Sequence, residues 1–320
     1  MSERTAELDG ESPEKLERQA RTRLAEADLS GAAGLLELAA LSWQQSDNAE
    51  RAGTCWLLAA STWRLAGSME ASARAARCAE ALVLPDALRR GVDMELAEQA
   101  LACGDAALAR ERFSTWLMQH GQHIDDRLRA VVLQRRAAAA LSAHDERGAA
   151  ADFSTAAALM QSLGLAADAQ AASLAAASCL SVVDAPAAEA IWQGVDQQPA
   201  RDGSAAARQG HVGAQIALAL DQPVLALERL AQARQGALDA RDATSYLAAS
   251  VQAASLLEQQ GLAQEAYARL ASAWVTLGGL LGKEPAANLV RPALAGLRER
   301  LGEAVFKCVR QAHDAQRRRA

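Results

Sequence analysis

Residues 137–156 read AAAALSAHDERGAAADFSTA, and the order of small and large side chains in this stretch decides the fold. Ala149 is followed four positions later by Phe153 and three after that by Ala156, and Ala137 lies twelve positions before Ala149. Positions three and four apart share a helix face, so 149, 153 and 156 form one stripe. Between the two alanines stands His144-Asp145, a stop signal whose carboxylate suits the free N–H groups at a helix start. Small residues at 137 and 149 let two antiparallel helices approach closely, and the aromatic at 153 fills the gap toward whatever packs next.

Working outward, the same order recurs. Ala109-Phe113-Trp116, Ala187-Ile191-Gly194, Ala226-Leu230-Ala233, Ala263-Tyr267-Leu270 and Gly302-Phe306-Val309 repeat it, with leading residues 37 to 40 apart. Upstream the phase continues through Ala73 (or Ala71) and Ala33 (or Gly34). Twelve positions before each leading residue stand Ala97, Ala137, Ala175, Ala214, Val251 and Val290. Gly104-Asp105, Asp184-Ala185-Pro186, Asp221-Gln222-Pro223, Gly261 and Gly282 add helix-boundary signals. Segments 86–103/105–119, 124–143/146–163, 204–220/223–240 and 243–260/262–281 therefore read as antiparallel helix hairpins. Each hairpin alone leaves an apolar face exposed, which stacking on its neighbours buries.

Composition agrees. Alanine supplies 80 of 320 residues, against three Phe and two Tyr, so the chain is rich in the best helix former and poor in β-formers. Its 33 basic and 39 acidic residues give a net charge of −6 with both signs scattered, which leaves no basic footprint for nucleic acid. No charge-free apolar run of membrane-spanning length is visible, so no membrane insertion is expected. No hydrophobic stretch follows the first residues, and five cysteines, an odd number without a CxxC pair, fit a reducing compartment. A cytoplasmic protein from a GC-rich bacterium is the expectation.

The stripe at Ala149-Phe153-Ala156, with Ala137 and Ala140 in the preceding helix, resembles the tetratricopeptide repeat. The likeness covers residues 90–310 well and 12–89 weakly. The period exceeds the roughly 34 residues of the standard motif, and its early Trp and Gly-Tyr positions are mostly Ala here. The resemblance implies an all-α, right-handed solenoid of about seven to eight hairpins spanning 12–320. A disordered tail over 1–11 precedes it, Ser12-Pro13-Glu14 starts the first helix, and a capping helix closes it at about 303–317. It also implies binding of a protein or peptide in a concave groove lined by the first helix of each hairpin.

The inward polar residues of those helices are the candidate site: Thr62, Arg64, Glu98, Gln134, Arg135, Arg208, His211, Gln215, Ser245 and Gln252. Amides, hydroxyls and guanidinium forks at such positions bind an extended backbone or a carboxylate. Ala138, Ala172, Ala176 and Leu218 complete a partly apolar wall suited to an amphipathic helix. Trp43, Trp56 and Trp63 read as packing between Ala-rich helices, or as anchors for a partner. The densest ligand-like cluster, His120, His123, Asp125 and Asp126, straddles a loop and reads as turn and cap residues, so no metal or cofactor is expected. No phosphate-loop, dinucleotide or nucleophile-elbow motif occurs, and no catalytic role is assigned. The expected function is a non-catalytic adaptor or chaperone-like scaffold. An effector-responsive sensor and a self-assembling structural subunit stand as alternatives, and a homo-oligomer is compatible with either.

Overall fold

A computed structural model of the chain describes residues 11–198 and 200–319, so the expected tail (apart from Glu11) and Pro199 lie outside the described residues. Every described element is an α-helix. In chain order they are α1 (Pro13–Ala25), α2 (Leu29–Gln45), α3 (Ala49–Leu65), α4 (Met69–Glu80), α5 (Asp86–Ala102), α6 (Ala106–His120), α7 (Asp126–Ser142) and α8 (Glu146–Ser162). They continue as α9 (Ala166–Val183), α10 (Ala185–Asp196), α11 (Gly203–Ala219), α12 (Pro223–Asp239), α13 (Ala243–Gln259), α14 (Ala263–Leu281), α15 (Lys283–Leu301) and α16 (Glu303–Arg319). The chain falls into two compact units, Met1–Leu159 and Met160–Ala320. Within each, helices pack on their sequence neighbours, and first helices also meet first helices, as α3 meets α5 and α9 meets α11. This is an all-α helical-repeat solenoid.

Three-residue connections enforce the hairpins. At Ala27, Asp47, Gly67, Gly104, His144, Gly164, Asp221, Arg241 and Gly261 the backbone enters the left-handed region. The following N–H then reaches back to the last turn, as Asn48 N does to Trp43 O at 2.9 Å and Asp145 N to Ala140 O at 2.9 Å. That following residue is often the cap of the next helix. Asp28, Asn48, Asp105, Asp145 and Asp242 each accept a backbone N–H two or three residues on. Stop and start are thus compressed into one turn. Ser12 departs from expectation: its carbonyl, not its hydroxyl, takes the first helical N–H groups.

The repeat is real, but its phase differs from the sequence reading in four units, the first of them led by Ala32 rather than Ala33 or Gly34. The buried pairs are Ala20/Ala32, Ala59/Ala71, Ala97/Ala109, Ala137/Ala149, Ala176/Ala188, Ala214/Ala226 and Ala254/Ala266. All fourteen positions are alanine, each pair is twelve apart, and successive pairs follow at 38 to 40 residues. Ala187 and Ala175 are only half-buried, so the stripe on α10 is Ala188-Trp192-Val195 rather than Ala187-Ile191-Gly194. On α14 it starts at Ala266, not Ala263, which shifts its partner from Val251 to Ala254. Gly302 is exposed at φ 78° and ends α15. A one-residue slip turns a helix by about 100°, and with alanine on both sides of the slip, composition could not reveal it.

Glycine replaces alanine where the backbones come closest. A Cβ on Gly210 would sit 2.6 Å from Ala233 N, and one on Gly236 2.5 Å from Ala207 N. α11 and α12 therefore touch main chain to main chain. The tryptophans are core or core-edge: Trp56, Trp116 and Trp192 are buried, and Trp43 and Trp63 pack on the core of the first unit. The indoles of Trp43 and Trp63 donate to Glu17 and Glu37 at 2.8 Å each. Among the described residues α9 is the one helix long and apolar enough to cross a bilayer, and it packs against α10 and α11.

Candidate partner-binding cleft

In the second unit, α9, α11 and α13 lie side by side and leave a cleft of about 430 Å³. One wall is Ala171, Leu174, Ala175 and Ser178 of α9, the other Ser245, Ala248 and Ala249 of α13. Ala207, Arg208, His211 and Val212 of α11 line it between them, with Ala233 of α12 contributing as well. The alanines make room, Leu174 and Val212 make it apolar, and its only ionisable groups are Arg208 and His211. Arg208 is exposed and, among the described residues, has no carboxylate within ion-pair distance. His211 is held one turn along by Gln215, whose Nε2 lies 3.3 Å from the ring Nε2. A second, shallower hollow continues past Ser178 along Val182, Gln215 and Leu218.

Ser245 donates its hydroxyl to Asp242 at 2.6 Å, which with the backbone N–H groups of Ser245 and Thr244 holds that carboxyl below the usual aspartate range. Gln252, two turns beyond Ser245 on the same face, keeps a buried Oε1 without a partner. Gln170, one turn before Leu174, keeps a buried Nε2 without one. The two helices that wall the cleft thus each carry one buried amide atom without a partner, outside the cleft lining.

The candidate residues of the first unit have another fate. Thr62 is buried and its hydroxyl donates to Leu58 O at 2.6 Å, so it faces the helix, not a groove. Arg64 grips Glu95 with two hydrogen bonds of 2.8 and 3.1 Å, and this, outweighing burial, raises its pKa. Arg135 reaches Glu98 at 3.1 Å. Gln134 is half-buried on α7. The structure thus gathers Arg208, His211, Gln215, Ser245 and Gln252 on one surface and ties Arg64, Glu98 and Arg135 into cross-links between first helices.

Ala172 and Ala176, expected in the groove wall, are buried, and Ala171 and Ala175 stand there instead. This is the same one-residue slip. The signal that would have corrected it is Trp192, a larger plug than Ile191 at the gap-filling position. The His120 cluster does turn and packing work: His120 meets the Trp116 ring edge-on at 5.3 Å, and Asp125 caps α7 through Leu128 N at 2.7 Å.

No protein-family profile matches the chain, and no curated protein sequence does. Solved structures do. A tetratricopeptide repeat protein from Parabacteroides merdae ATCC 43184 is 13% identical, with a TM-score of 0.55 over 89% of this chain and 100% of that one. RapI in its apo form is 9% identical, with a TM-score of 0.60 over 90% of this chain and 87% of that one. The chain has the tetratricopeptide-like helical-repeat fold. It is the long-period form, with its alanine pairs 38 to 40 residues apart.

Proposed function

We propose that this protein is a non-catalytic, cytoplasmic adaptor that binds a protein or peptide in the α9/α11/α13 cleft. The observation that carries the reading is an apolar hollow, between first helices, whose only ionisable lining groups are Arg208 and His211, neither paired with a carboxylate among the described residues. A partner segment inserts an apolar side chain between Ala175 and Ala248, and sets an acidic group on Arg208 and His211. An Arg fork on a carboxylate is directional as well as strong, which gives register to an otherwise greasy contact.

Selection of a random twelve-residue peptide library on the immobilised full chain tests this. The retained peptides are expected to pair an apolar residue with Asp or Glu, and to bind at least tenfold more weakly to Ala175→Trp and to Arg208→Glu. Peptides that bind both variants as well as the wild type would place recognition elsewhere.

A further inference from the structure

We propose a second site, independent of the cleft, in which Arg234 of α12 and Arg269 of α14 receive a phosphate-class oxyanion. Other arginines withdrawn from solvent are matched. Arg64, Arg136 and Arg229 each pair with a carboxylate, of Glu95, Asp152 and Glu189 respectively. Arg234 and Arg269 have no carboxylate within ion-pair distance among the described residues, and stand near enough that their charges repel. Arg269 accordingly holds its proton less firmly than usual, first through burial and then through Arg234. Glu265, one turn earlier on α14, acts on it only weakly.

Both guanidinium groups carry a buried Nε–H with no acceptor. Leaving such a charged donor unmatched costs free energy, so a fold that keeps two together has a use for an anion there. Arg234 is also pre-positioned. Its Nη2 donates to the hydroxyl oxygen of Tyr246 at 3.0 Å and its guanidinium lies 5.2 Å from the ring centre. Tyr246 is itself among the largest fully buried side chains, so it cannot swing away. Tyr246 is the positioning residue and the two arginines are the ligands. A carboxylate offers two coplanar oxygens and one negative charge to the pair, whereas a tetrahedral dianion offers oxygens out of one plane and a charge to match both guanidinium groups.

The probe is inorganic phosphate, titrated calorimetrically into the full chain at constant ionic strength against a chloride blank. One saturable site is expected, weakened at least tenfold in Arg269→Gln and in Arg234→Gln and unchanged in Arg147→Gln, an exposed arginine of α8. No saturable heat, or equal binding in all three variants, would overturn the proposal. A measurement on the wild type guards against misfolded variants. The chain has only two tyrosines: burial pushes the Tyr246 ionisation up, but hydrogen bonds with Thr276 and Arg234 and the charges of Arg234 and Arg269 together bring it below normal, while burial keeps Tyr267 above it. Phosphate at the site should raise the lower of the two tyrosinate midpoints, and an unmoved midpoint counts against it. Replacing phosphate by O-phosphoserine separates the sources of the ligand. Binding tightened tenfold or more assigns the site to a phosphorylated side chain, and equal affinity assigns it to free phosphate, the oxyanion chemistry holding either way.

Discussion

The two units repeat one hairpin and spend its inward charges differently. In the first, α3 and α5 are joined by Arg64 and Glu95, and α5 and α7 by Glu98 and Arg135. In the second, the corresponding faces of α9, α11 and α13 carry small residues, Arg208 and His211, and no acid across from them. Its ion pairs lie elsewhere: Arg300 on α15 reaches Glu258 on α13 at 2.8 Å, and Arg229 on α12 holds Glu189 on α10 at 2.6 and 2.8 Å, donates to Gly213 O, and stacks on Trp192 at 3.7 Å. The alanine pairs that set the architecture are common to both units. Binding capacity therefore follows from which inward charges are left unmatched, and not from the repeat itself.

The comparison predicts its largest contrast at the ion pairs. Arg229 is 4% exposed, so Glu189→Ala strands a buried guanidinium and should cost about 3–5 kcal/mol. Glu98→Ala, whose partner Arg135 has a side chain 54% exposed, should cost under about 1 kcal/mol. Urea unfolding of the two variants measures both. Equal losses would mean that the pairs are not used differently.

Glycine gives the next contrast, this time in sign. Gly210→Ala drives a methyl group into the α12 backbone and should destabilise by about 3 kcal/mol. Gly34→Ala on α2 meets nothing within 4 Å and removes a poor helix former, so it should stabilise by about 0.5–1 kcal/mol. Thermal melts by circular dichroism distinguish them. A tolerated Gly210→Ala would show that α11 and α12 can part without penalty.

How much of this was legible beforehand depends on the range of the interaction. Helix ends, capping aspartates and the alanine period are local, and the segments read from the sequence at 86–103, 124–143 and 243–260 nearly coincide with α5, α7 and α13. The phase was lost where alanine flanks alanine, at 187/188 and 175/176, because a stripe with no bulky edge has no direction. The pairing of Arg64 with Glu95 or Arg229 with Glu189 spans 31 or 40 residues, and nothing in the intervening composition marks it. As a result Arg135 and Arg208 looked alike as candidates, although one is matched and the other is not.

That difference is itself testable. Arg135→Glu should set two carboxylates together and lower stability by about 1 kcal/mol, with peptide binding unchanged. Arg208→Glu should leave stability within about 0.5 kcal/mol and abolish binding, since no internal partner is lost. Melting temperature and fluorescence anisotropy with a selected peptide give both axes. The reverse pattern would move the site to the first unit.

The last contrast is one of pH, and the two units should respond with opposite sign. Glu189 is held below the ordinary glutamate range, first by the hydrogen bond from Arg229. A depressed carboxylate stabilises the fold above its unfolded pKa, and that contribution is lost as pH falls through the lower folded value. Asp93, on α5 in the first unit, is pushed above the ordinary aspartate range, by burial foremost. The folded state then holds its proton more tightly than the unfolded chain, so Asp93 opposes folding at neutral pH and ceases to do so once protonated. Asp93→Asn should raise the melting temperature slightly at pH 7, and the gain should vanish as pH drops into the carboxylate range. Glu189→Gln should do the opposite, a loss at pH 7 that persists until the pH is below about 4. If the two pH profiles ran parallel, the charges of the two units would be in equivalent surroundings, and the contrast between a cross-linked face and an open one would lose its electrostatic basis.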